Sequence, residues 1–285
     1  MRVLHKSTSE KITADVKGFS AIGRITQIAN RHRDTKMVFD MKNIKSVDGN
    51  LATVYAALGR WLGKSNNALR ILPRKACGTD VGLTIDLFGN SSGWERHLEE
   101  TFQSGATNVF AFDRHNIDAF KNYLLHDAFR KDWKRLLPYH YKLDAKAFLM
   151  TLFQNASEHG GTHEPIFVQS SYDGHMLRFT FLDCGQEFIK ELSQVSNETL
   201  NEGQAIMTAM HGYSSNAVSH GGSLKSLGNY CDENEGELFV VSGSASVLFD
   251  KDGFHRVTWL PGAFKGSIIN FSVKVKLPEF LQQAA

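Results

Sequence analysis

The sequence predicts two domains: an α/β domain over residues 1–108 and an α+β layer sandwich over residues 115–285. Three observations lead there. In the first part, short apolar runs alternate with an amphipathic helical stretch, the order that builds an α/β layer. A polar, turn-rich break follows at Gln103-Ser104-Gly105-Ala106-Thr107-Asn108. After it come helices and then strands joined by tight turns, the pattern of helices laid on a mostly antiparallel sheet. At 285 residues the chain is long enough for two such units.

In the first domain, Met37 to Met41 is a short apolar run that reads as a buried strand, and Asp48-Gly49-Asn50 as a turn. Leu51, Val54, Tyr55, Leu58 and Leu62 then share one face of a helix. Ala68 to Leu72 is a strand ended by Pro73, and Thr84 to Phe88 another.

In the second domain, Phe120 to Leu137 reads as one basic helix that turns Tyr123, Leu124, Phe129, Trp133 and Leu136 inward and ends at Pro138. Asp127 and Asp132 interrupt its basic residues, so a solvated face explains them better than a phosphate patch. The next helix is expected from Asp144, as N-cap, to His159, where Gly160-Gly161 stops it. Strands Ile166 to Ser171 and Met176 to Leu182 are joined by Asp173-Gly174. Leu177, Phe179 and Phe181 alternate with Arg178 and Thr180, so one sheet face is expected to be buried. Helices cover Glu187 to Val195 and Glu202 to Met210. A loop from His211 to Gly222 leads into a helix from Ser223 to Cys231. Three strands close the chain: Glu237 to Ser242, Val247 to Thr258 broken at Asp252-Gly253, and Ser267 to Val275.

Lys plus Arg number 32 and Asp plus Glu 30, so the net charge is +2, which argues against a bulk nucleic-acid binder. Cys77, Cys184 and Cys231 are far apart and show neither a disulfide framework nor zinc spacing. No signal-peptide pattern opens the chain, and no apolar run approaches the ~20 residues of a membrane span. The expectation is a cytoplasmic protein with reduced thiols and no membrane partner.

Four pieces carry candidate chemistry. Thr151, Asn155 and Glu158 share a polar helix face, and a carboxamide oxygen such as that of Asn155 suits a hard cation. Phe181-Leu182-Asp183-Cys184-Gly185 delivers a carboxylate at a strand end, able to accept from an exocyclic amine, with a glycine that lets a flat ring approach. His220-Gly221-Gly222-Ser223-Leu224 places glycines before a helix start, where free N–H groups suit phosphate oxygens. Lys265-Gly266-Ser267 enters the final strand. His159 and His163 have a metal-pair spacing, but Gly160-Gly161 breaks the helix between them. No Walker A pattern occurs, so a P-loop enzyme is not expected.

Taken in order, these pieces resemble the GHKL superfamily of histidine-kinase-like ATPases, and its small bacterial signalling members above all. Phe153 to Gly160 looks like the N box, Asp183-Cys184-Gly185 the first glycine box, Gly221-Gly222-Ser223-Leu224 the second, and Gly266-Ser267 the pair of the last strand. The resemblance implies the Bergerat ATP-binding fold over residues 115–285, with ATP or ADP and Mg²⁺ as ligands. It implies that Asn155 binds Mg²⁺, that Asp183 recognises the adenine amine, and that Gly185 lines the base pocket. Gly221 and Gly222 would cradle phosphates in a mobile lid, and Ser267 would help hold the base. A regulatory protein partner is implied, and a homodimer is allowed.

Three departures bear on catalysis. The family's hydrolytic members carry a glutamate where this chain has Thr151, which leaves Glu158 as the candidate catalytic carboxylate. Gln186-Glu187 and Ser223 stand where further glycines are usual. The implied function is therefore an ATP- and Mg²⁺-dependent regulatory switch, with a protein kinase or slow ATPase, and an interaction module without nucleotide, as alternatives. In the first domain, Phe39 to Ile44 and Ser46 to Leu51 with the following helix resemble the STAS domain. Gly49 stands at the position that is phosphorylated there, so phosphorylation is not carried over.

Overall fold

The computed structural model describes residues 2–6, 11–29, 31–40, 46–48, 50–63, 66–72, 85–87, 109–159, 163–193, 199–211, 223–249 and 255–276. The elements of the first part are β1 (Arg2–Lys6), β2 (Lys11–Ile12), α1 (Val16–Ala29), β3 (Lys36–Asp40), β4 (Ser46–Val47), α2 (Leu51–Gly63), β5 (Ala68–Leu72) and β6 (Ile85–Leu87). Those of the second begin with β7 (Phe110–Phe112), α3 (Ile117–His126), α4 (Lys131–Lys134), α5 (Tyr139–His159), β8 (Ile166–Tyr172) and β9 (Met176–Asp183). They close with α6 (Phe188–Leu192), α7 (Glu202–Met210), α8 (Ser223–Glu233), β10 (Glu237–Phe249) and β11 (His255–Lys274).

The architecture is mixed α/β. A four-stranded sheet has the order β1-β3-β5-β6, parallel except for β6. A five-stranded open sheet has the order β10-β11-β9-β8-β7, antiparallel at every pair. Helix α2 packs on β8 and β9 on one side and on β5 and β6 on the other, while α1 lies against β11. Helices α3, α5, α7 and α8 occupy the opposite face of the larger sheet.

Each face of that sheet therefore has its own core. On one, Phe167, Leu182, Phe239, Val241, Phe264 and Ile268 meet Phe19, Ile22 and the buried residues of α2. On the other, Val168, Phe179, Phe181, Ile269 and Phe271 meet Phe120, Leu149, Phe153 and Leu227. Alternation along each strand sends successive side chains to opposite cores. Both faces are dry, so Thr180 is as buried as its neighbours. The sequence pattern predicted one buried face, and the docking of α1 and α2 on the second accounts for the difference. The same docking buries α2 all round from Leu51 to Gly59, where periodicity alone predicted a single apolar face.

Local chemistry sets the element ends. Asn116 caps α3 by accepting from the Ala119 N–H (3.0 Å), and Asn201 with Gln204 forms a capping box on α7. Gly174 at φ +96° turns the β8–β9 hairpin, and the Asp173 carboxylate accepts from the N–H groups of His175 and Met176 (3.0 and 2.8 Å).

Several boundaries differ from expectation. The basic stretch is two helices, because Ala128 and Phe129 leave the helical path to enter the core. Leu137 rather than Leu136 points inward, and Leu136 is 46% exposed. Helix α5 starts at Tyr139, just after Pro138, so Asp144 is an interior residue and not an N-cap. Helix α6 ends at Leu192. The three closing strands are two long ones, since β10 continues through a bulge at Gly243. Gly243 has φ +61°, and a Cβ there would meet the Glu202 carboxylate at 2.2 Å. That carboxylate also accepts from the Ser244 N–H (2.9 Å), which pins the bulge to the start of α7. Strand β1 and helix α1 were not anticipated.

Candidate functional site

The site is built at one end of the larger sheet, on the face covered by α5. Asp183 ends β9, and Ser267 of β11 stands directly beside it in the antiparallel register. Ser242 of β10 stands beside Ser267 in turn. Directly opposed residues share a face, so one row runs Asp183, Ser267, Ser242. Each is at least nine-tenths buried.

Gly266 holds the end of the row. It has φ +86°, and a Cβ there would lie 1.9 Å from the Asp183 carbonyl oxygen. Only glycine fits both the angle and the contact. Ser242 Oγ accepts from the Phe188 N–H (3.0 Å) and donates to the Gly266 carbonyl (3.3 Å), so it ties α6 to the same corner.

The carboxylate of Asp183 is held from two sides. Its Oδ1 accepts from the Gly185 N–H at 2.9 Å and from Arg114 Nη2 at 2.8 Å. Arg114 is 2% exposed and comes from the tight turn between β7 and α3. That turn is closed by Asn116 N–H to the Asp113 carbonyl (3.0 Å) and by the Asp113 carboxylate accepting from the His115 N–H (2.8 Å). The rest of the guanidinium is spent on backbone. Nη1 donates to the Ala156 carbonyl (2.7 Å), and Nε and Nη2 donate to the Glu164 carbonyl (3.2 and 3.0 Å). Ala156 lies in the last turn of α5, whose carbonyls have no partner within the helix and whose dipole favours a cation. Burial pushes the Asp183 carboxyl above its ordinary range, while the Arg114 charge and the Gly185 N–H pull it back.

The other predicted residues fall around this corner. Asn155 is half-buried on α5, one residue before the carbonyl that Arg114 holds. Glu158, three residues further on, is exposed. Thr151, one turn before Asn155, donates its hydroxyl to the Ala147 carbonyl (3.0 Å). Gly185 is half-buried beside Asp183. Gly221 and Gly222, and the stretch beyond His211 expected to form a lid, lie outside the described residues, as does Gly49.

Among the described residues no group of three or more His, Cys, Asp or Glu could hold a metal ion. A single carboxamide on α5 suits Mg²⁺ only in the way that ion usually binds, with phosphate oxygens and waters completing its shell. Two residues of the corner were missed from sequence. Arg114 has no local signal, because its carboxylate partner is 69 residues away. Ser242 reads as an ordinary strand residue.

Among the described residues no helix is long and apolar enough to cross a membrane. No protein-family model, no curated protein and no solved structure matches the chain.

Proposed function

We propose that the chain is an ATP- and Mg²⁺-binding regulatory protein of the GHKL type, whose nucleotide-dependent lid controls a protein partner. The observation that carries this reading is the row formed by Asp183 and Ser267, with the Gly266 backbone pressed against Asp183. It offers a carboxylate, a hydroxyl and bare backbone within one corner, a set suited to the amine edge of a flat base. Asn155 is the residue that would reach Mg²⁺ and the phosphates. The metal's chemistry there would be to neutralise phosphate charge.

Thr151 favours a switch over a kinase or fast ATPase. A hydroxyl bonded back to its own helix cannot serve as a carboxylate base, which leaves Glu158, three residues beyond Asn155, as the candidate carboxylate. One observation favours a different reading, an interaction module without nucleotide. The Asp183 carboxylate already holds a buried guanidinium, which by itself satisfies its charge.

Calorimetric titration of ATP and ADP with Mg²⁺ separates the readings. Micromolar binding by the wild type that is lost in Asp183→Asn, and that loses its Mg²⁺ dependence in Asn155→Ala, supports the switch. Absence of binding by the folded wild type supports the module. Thermal melts of each variant show that the loss is not unfolding.

A further inference from the structure

The ion pair between Arg114 and Asp183 does more than neutralise a buried charge. A carboxylate has two oxygens and about four lone-pair sites. Among the described residues, both hydrogen bonds to Asp183 fall on Oδ1. Oδ2 is left to accept from another donor. The guanidinium cannot swing to take it, because its other N–H groups are fixed on the carbonyls of Ala156 and Glu164. These two carbonyls flank the connection from α5 to β8. One side chain thus joins the end of β9 to the end of the helix bearing Asn155.

We infer that Arg114 is a positioning residue of the base subsite: it occupies one oxygen of Asp183, presents the other to the ligand, and fixes that carboxylate relative to Asn155. The inference rests on the nucleotide reading of the same corner. It assigns the ligand's recognition edge as a hydrogen-bond donor, the 6-amino group of a purine. An ionised carboxylate there accepts from that amine and repels the 6-oxo oxygen of a hypoxanthine or guanine base.

The rival role for Arg114 is purely structural, a cap on the C-terminal carbonyls of α5. The two roles differ in a measurable way. Without the guanidinium, the carboxyl loses a charge that pulls its pKa down. It then protonates at higher pH and donates to a 6-oxo group instead of repelling it. A lost cap would instead weaken all nucleotides alike, at every pH.

The test is calorimetric titration of the full chain with ATP and with ITP, each with Mg²⁺, between about pH 5.5 and about pH 8. The inference predicts that the wild type prefers ATP by at least about tenfold at neutral pH, and that its preference persists to lower pH than that of Arg114→Met. In Arg114→Met the preference falls to a few-fold at neutral pH and shrinks further in acid. Arg114→Lys keeps the charge and loses the fork, so it gives an intermediate preference with a pH profile close to that of the wild type. A folded variant that weakens ATP and ITP by the same factor, with no pH dependence, overturns the inference and leaves the nucleotide reading standing. If neither variant folds, the wild type still decides, since equal binding of ATP and ITP at neutral pH is incompatible with a carboxylate oxygen presented to the 6-position. A folded wild type that binds neither nucleotide overturns the nucleotide reading and this inference together.

Discussion

The two faces of the five-stranded sheet are packed by different means. On the face toward α3, α5, α7 and α8, apolar and aromatic side chains dominate away from the Arg114–Asp183 corner, with Phe120 stacked on Phe153 (centroids 4.2 Å) and Phe179 on Phe271 (4.9 Å). The face toward α1 and α2 also has aromatic contacts, as between Phe19 and Phe239 (5.0 Å), but a buried polar network runs through it. Asn270 Oδ1 accepts from Asn50 Nδ2 (3.2 Å) and Thr180 Oγ1 (3.0 Å), and its Nδ2 donates to the Ala14 carbonyl (3.2 Å). Ser171 donates to Asn50 Oδ1. Thr53 of α2 donates to Gln169 of β8 (3.1 Å). Apolar packing is non-directional and holds the layers together without fixing their register. Hydrogen bonds between buried groups are directional and costly to leave unmade, so they set where α2 sits on the sheet.

The largest effect is expected on the apolar face. Phe153 is fully buried, and Phe153→Ala should cost about 3–5 kcal/mol in urea denaturation. A loss near that of an exposed site would mean the helical layer is not the core described here. On the polar face, Asn270→Ala removes the acceptor of Asn50 and Thr180 together and should cost about 1–3 kcal/mol. If Asn270→Leu proved as stable as the wild type, the network would be dispensable for stability and the contrast between the faces would weaken.

Close backbone approach on the same face gives an effect of comparable size by another route. A Cβ at Gly262 of β11 would lie 2.1 Å from the Gly23 carbonyl of α1. Gly262→Ala should therefore push α1 away and cost about 1–3 kcal/mol, with faster hydrogen exchange in α1 than in α5. Equal exchange in both helices would contradict the contact.

The smallest effect is expected outside both cores. Lys274 and Lys276 hold the exposed Glu235 carboxyl down at about 2. A lowered carboxyl stabilises the fold above its ordinary range and loses that contribution as pH falls toward about 2. Glu235→Gln should leave the neutral-pH denaturation midpoint within scatter, because solvent screens such pairs, and its difference from wild type should vanish in acid. A large midpoint shift at neutral pH would show the pair to be more protected than its exposure allows.

The same contrast explains what could be read from sequence. Strands Ala68–Leu72 and Ile166–Tyr172, and helix Glu202–Met210, were legible from apolar runs, turn residues and caps that act locally. That Asp183 and Ser267 lie together was implied only by the family resemblance, and the register sets them side by side. Helix α1 was overlooked because Gly18 and Gly23 weaken its helical signal; Gly18 is required by its close packing against the Thr13 carbonyl. The burial of Thr53, Gln169 and Thr180 was illegible because each is satisfied by a distant residue. Arg114 was illegible for the same reason, although its hydrogen bonds join the end of β9 to the last turn of α5.

The most direct test of the central claim, a nucleotide bound where β9 ends beside β11 and α5, is hydrogen–deuterium exchange of the full chain with and without ATP and Mg²⁺. The account predicts slower exchange in peptides covering Leu182 to Glu187, Gln154 to Ser157 and Lys265 to Ile268, with α1 and α2 unchanged. Unchanged exchange in all three peptides, at nucleotide concentrations that saturate any measured binding, would contradict it.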